Sequence, residues 1–158
     1  MSMSGHSKWS TIHRQKEIND SKRGAMFTKL AKAITIASKQ GKGLQLALEK
    51  AKQFNMPKEN IQRALRPALG ELDEVMFEGF GPGGVAIIVS AVTDNKLRTA
   101  QQVWGLLKKG AVAYLFSADM KPNFLVEVAD AAEREKIEDL LEKLEDLDDV
   151  QKVWTNYA

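Results

Sequence analysis

The sequence predicts an α+β chain, with an N-terminal helical bundle followed by one ferredoxin-like β-α-β-β-α-β domain. Three observations carry this expectation. Apolar residues recur at helical spacing up to about residue 70, and strand-like and helical runs alternate thereafter. The charge changes sign at the same place: residues 1–70 hold 14 Lys and Arg against 4 Asp and Glu, and residues 71–158 hold 9 against 17. The glycine run "GFGPGG", residues 79–84, stands directly before the β-branched "VAIIV", where a turn is needed. Together they delimit a basic helical domain at 1–70 and an acidic ferredoxin-like domain at 71–158, with the boundary near Gly70–Asp73.

A short helix around Ile12 to Ile18 opens the first half. Asp20 is placed to cap the next helix, in which Phe27, Leu30, Ala31, Ile34 and Ala37 form one apolar stripe. Lys22, Lys29, Lys32 and Lys39 fall on the opposite side, and Gly41 and Gly43 end the helix. A further helix covers Leu44 to Phe54, with Leu44, Ala47, Leu48 and Ala51 inward. Pro57 suits the first turn of a last one, "PKENIQRALR", which stops near Pro67.

In the second half "GVAIIVSAVT" reads as a strand, and "NKLRTAQQVWGLLKKG" as a helix packing through Leu97, Val103, Trp104 and Leu107. "AVAYLFSA" and "NFLVEVA" read as two strands joined by a turn at Pro122. Ile137, Leu140, Leu141 and Leu144 mark a second helix, and "VQKVWTNY" closes the unit as a strand.

Composition and motif context argue against an enzyme. There is no cysteine, so disulfides and thiolate metal sites are excluded and a reducing cytoplasm is the expected compartment. No apolar run approaches a membrane span, so a soluble protein with no membrane partner is expected. Gly79, Gly81 and Gly84 match G-x-G-x-x-G, but a dinucleotide loop follows a strand and opens a helix. Here the glycines precede a strand, and Pro82 removes an N–H from the supposed cradle. A tight turn with glycines at positive φ is the better reading. His6 and His13 are the only histidines and have no metal-ligand or triad pattern around them. Glu145, Asp146, Asp148 and Asp149 lack the spacing of a calcium loop and read as a solvated helix end. The expectation is no catalysis, no cofactor, no metal and no small-molecule substrate.

The stretch "GHSKWSTIHRQKEINDSKRGAMFTKL" points instead to nucleic acid. Lysine and arginine neutralise phosphates, and an aromatic plane can stack on an unpaired base. The candidate binding residues are Gly5, His6, Ser7, Lys8, Trp9, His13, Arg14, Lys16, Lys22, Arg23, Lys29 and Lys32. Trp9 serves equally well as a core anchor. Base stacking on the sheet is not expected: "VAIIVS" carries no aromatic, and Tyr114 and Phe116 are better used in packing.

"GHSKW", "DSKRG", "FTKL", "NMPKENIQRA", "EGFGPGGVAIIV", "TDNKLRT", "VAYLF" and "LEDLDDVQKVWTN" stand in an order that resembles the YebC family over most of the chain. That family includes the mitochondrial translational activator of cytochrome oxidase. The resemblance implies a helical N-terminal domain plus two α/β domains, one inserted in the other. After "VAYLF" this chain passes through "SADMKPNFLVEV" almost directly to the last motif, so it resembles a shortened member lacking the inserted domain. It also implies a ribosome-associated, rRNA-binding factor that helps translation through stalling stretches such as consecutive prolines. A double-stranded-DNA-binding transcriptional regulator is the alternative, and a protein adaptor using the acidic half is the third reading.

Overall fold

A computed structural model describes residues 20–66 and 71–158. The predicted short helix at Ile12–Ile18 lies outside these residues. Three helices follow the apolar spacing: α1 (Asp20–Gln40), α2 (Leu44–Gln53) and α3 (Lys58–Leu65). Leu30 and Ile34 of α1 bury against Ala51 of α2, Met56 and Ala64 of α3, with Phe27, Leu44, Leu48 and Ile61 packed around them. Gly41 and Gly43 turn the chain out of α1 at φ 73° and 75°, a region closed to most side chains. The Thr35 hydroxyl donates to the Ala64 carbonyl at 2.9 Å and ties the end of α3 to α1.

The second unit is built on β1 (Asp73–Phe80), β2 (Ala86–Thr93), α4 (Lys96–Trp104), β3 (Lys108–Lys109), α5 (Ala131–Asp146) and β4 (Val150–Thr155). The strands form one four-stranded sheet in the order β3-β1-β2-β4, with every neighbouring pair antiparallel. The mixed α+β class is therefore as the sequence predicts. The order of elements differs, being β-β-α-β-α-β. β2 and β3 run parallel to each other around α4 with β1 inserted between them, so the split β-α-β arrangement survives with its inserted strand drawn from upstream.

Two expectations are corrected here. "GFGPGG" does not precede the first strand: it ends β1 and turns into β2 through a 3-10 turn at Pro82–Gly84, with Gly83 and Gly84 at φ 70° and 75°. "AVAYLFSA" and "NFLVEVA" are not strands. They hold a 3-10 turn at Ala113–Leu115 and two isolated bridges, Phe116 with Pro122 and Val126 with Tyr157. The place beside β2 is already taken by β1, and Pro122 has no N–H to give a ladder.

The main core lies on one sheet face, where Ile87 and Val89 of β2 meet Val103, Ile137, Leu141 and Leu144. On the other face Ala86 and Ile88 are covered by Val112 and Phe116, with Phe80 and Trp154 beside them. Helix α1 contacts β2 and β4, which brings the basic unit against the sheet. Asn156, fully buried, accepts the Ala86 N–H at 2.8 Å and fixes the start of β2 to the end of β4.

Candidate nucleic-acid interface

Between residues 20 and 66 the chain carries eleven Lys and Arg against three Asp and Glu. The fold divides these cations into two groups. One group faces the second unit. Lys29 Nζ donates to the Glu145 carbonyl, and Gln151 Nε2 donates to the Lys29 carbonyl at 3.1 Å. Lys32 Nζ donates to Asp149 Oδ1 at 2.7 Å. Further along α1, Gln40 reaches Glu74 and Lys39 reaches the Leu72 carbonyl, both at 3.4 Å. The spacing Lys29, Lys32, Ile36, Gln40 is a second stripe on α1, and Ile36 on it is buried. The lysine side of α1 is therefore not a wholly solvated face.

Asp149 is the centre of this seam. Its side chain is 3% exposed, against 21% for Lys32. Arg98 Nη2 donates to it at 2.9 Å, the Thr99 hydroxyl at 2.8 Å and the Thr93 hydroxyl at 3.3 Å. Thr93, Arg98 and Thr99 all come from the one segment "TDNKLRT", in which the Asn95 side chain accepts the Arg98 N–H and starts α4. Burial alone would raise the Asp149 pKa. Hydrogen bonds from Lys32, Arg98 and Thr99 outweigh it and hold the group at about 2. The reading of this carboxylate as part of a solvated helix end is thus corrected, because charged partners from both units close over it.

Burial lowers the Lys29 pKa, against the pull of Glu145, Asp146 and Asp148. The Lys50 ammonium is also lowered by burial and then by Lys152, against Glu145. Lys29 and Lys32 thus meet the acidic turn 145–149, and part of the charge contrast read in the sequence is used inside the molecule.

The second group of cations faces outward. Arg23, Lys42, Lys52, Lys58, Arg63 and Arg66 are exposed. Of the predicted site residues, the structure brings Lys29 and Lys32 together at the seam and leaves Arg23 on the surface. Lys22 is described only as helical backbone. Gly5, His6, Ser7, Lys8, Trp9, His13, Arg14 and Lys16 lie outside the described residues. Sequence reasoning missed Thr93, Arg98, Thr99 and Asn156, and the signal available for the first three was the polar cluster "TDNKLRT" ahead of a helix. Among the described residues no group of three His, Cys, Asp or Glu is placed to hold a metal ion, and no helix is long and apolar enough to cross a membrane.

Comparison with known proteins follows the same division. A family model described as the TACO1/YebC protein N-terminal domain matches residues 7–71. A second, the TACO1/YebC second and third domain, matches residues 72–119 and 115–157. A "Probable transcriptional regulatory protein" of Prosthecochloris aestuarii is 45% identical over 166 residues, covering 92% of this chain and 66% of that protein. One of Chloroflexus aurantiacus is 47% identical over 135 residues, covering 72% of this chain and 54% of that protein. The chain thus spans two thirds or less of the length of these relatives. The crystal structure of a conserved hypothetical protein from Aquifex aeolicus superposes with a TM-score of 0.80 at 27% identity, covering 90% of this chain and 93% of that one.

Proposed function

The chain belongs to the TACO1/YebC family, and on that premise we propose that it is a non-enzymatic, cytoplasmic nucleic-acid-binding regulatory factor acting on ribosomal RNA during translation. The observation that carries this reading is the set of exposed cations left on the helical unit, Arg23, Lys42, Lys52, Lys58, Arg63 and Arg66, after the seam has taken its share. Such a surface grips phosphates without reading base sequence. In the resemblance to YebC proteins, this grip serves ribosomes stalled on stretches such as consecutive prolines. The names of the relatives favour a second reading, a DNA-binding transcriptional regulator.

Sedimentation of the full chain with ribosomes separates the two. With about six phosphates neutralised, log affinity falls against log salt with a slope of roughly −4 to −5. The double substitution Lys58→Glu and Arg63→Glu lowers ribosome affinity at fixed salt. Failure to sediment with ribosomes, together with protection of a defined duplex, favours transcription. A partner whose affinity ignores salt removes both nucleic-acid readings and leaves a protein adaptor.

A further inference from the structure

The seam lies at the β4 side of the sheet, and the opposite edge is open. β3 pairs with β1 only at Gly79 and Phe80, and the Gly110 N–H adds one bond to the Glu78 carbonyl. From Asp73 to Phe77 the ladder of β1 is with β2 alone. Beside this edge is a groove of about 570 Å³ walled by Met76, Phe77, Trp104 and Lys109. Phe77 and Trp104 meet edge to face, with ring centroids 5.4 Å apart and planes at 84°. Lys109 Nζ stands 5.5 Å from the Trp104 ring centroid, and Lys108 and Lys109 are both exposed. The one carboxylate in the wall, Glu78, is held by the following loop, its Oε1 accepting the Val112 N–H at 2.7 Å and the Ala113 N–H at 3.2 Å.

We propose that this groove takes an unpaired nucleotide of a single-stranded RNA, with the base against Trp104 and the phosphate on Lys108 and Lys109. The inference rests on the nucleic-acid reading above and adds a second contact, on the acidic unit. Three features select this occupant. Two adjacent exposed lysines in a unit with 9 basic and 17 acidic residues make a local anion site. The aromatic corner offers a π surface to a base, and only an unstacked base has a free face to meet it. The open backbone of Met76 supplies an N–H and a C=O for a base edge. Lys109 moves from the ring to the phosphate on binding, because an exposed cation–π contact is weaker than base stacking.

The test measures binding of the full chain to a short single-stranded RNA and to a duplex of the same sequence. Lys108→Ala with Lys109→Ala changes only exposed side chains, and Trp104→Leu removes the stacking surface. Each is expected to weaken single-strand binding about tenfold and to leave duplex binding unchanged. A strand bearing 5-bromouridine is expected to cross-link to Trp104 on irradiation. Unchanged single-strand affinity in the lysine variant, with no cross-link, overturns the groove assignment while the nucleic-acid reading stands. If the unsubstituted chain binds neither RNA, that reading fails and this one with it. Protection of the Met76 amide by an extended peptide, with RNA affinity unchanged in both variants, assigns the edge to a strand-adding protein instead.

Discussion

The residue with the most at stake is Asp149. It is buried, and it neutralises Lys32 of the helical unit and Arg98 of the sheet unit together. Removing the charge leaves two cations without their shared partner, so Asp149→Asn is expected to cost about 3 kcal/mol in urea unfolding at neutral pH. Lys32→Met is expected to cost less, about 1 kcal/mol, because Arg98 and the threonine hydroxyls still hold the carboxylate. The pH dependence has a definite sign. With its folded pKa held down to about 2, Asp149 contributes stability that is complete above the ordinary carboxylate pKa near 4 and is lost as pH falls toward 2. That contribution is roughly 2 kcal/mol, and the Asp149→Asn chain should lose correspondingly less stability between pH 5 and pH 2. None of this was legible in "EDLDDV". Lys32 lies 117 residues away in sequence, and local composition contains no term for such a pairing.

At the scale of elements, periodicity identified the helices well and the strands only in part. Ile137, Leu140, Leu141 and Leu144 all bury as their spacing requires. Leu97 does not, being 69% exposed in the first turn of α4. β1 is masked in the sequence because Glu74 and Glu78 give it the look of a charged linker. The period-two signal is present in Val75 and Phe77, which face Ala91 and Val89 across the ladder. The glycines between β1 and β2 do separate jobs, and substitution distinguishes them. A methyl at Gly79 would lie 2.2 Å from the Lys108 carbonyl oxygen, so Gly79→Ala must push β3 off β1 and is expected to cost about 3 kcal/mol. Gly84 has open space around it and φ +75°, so Gly84→Ala costs only the left-handed backbone penalty, about 1 kcal/mol. Denaturant midpoints of the two variants check the difference.

At the scale of the molecule, the charge contrast between halves has two uses: a seam where Lys29 and Lys32 meet the 145–149 turn, and an outward surface on the helical unit. The two respond differently to salt, because exposed charges are screened within about 8 Å at physiological ionic strength and buried pairs much less. The seam also predicts coupling. In Lys32→Met the amides of α1 are expected to exchange hydrogen about five times faster while those of α5 are unchanged, as measured by native-state exchange. Equal rates throughout would mean that the seam does not hold the units together. The sequence by itself determined the class, the helices among the described residues, the change of character near residue 70 and the family, because each is written in local spacing or in ordered motifs. Only the tertiary structure decided which lysines remain available to a partner and that β1 stands between β2 and β3. It also decided that "GFGPGG" is a hairpin connection within one unit. Pairing across a sheet and between charges is set by which distant groups can satisfy one another when buried, and that is a property of the folded chain rather than of any stretch of it.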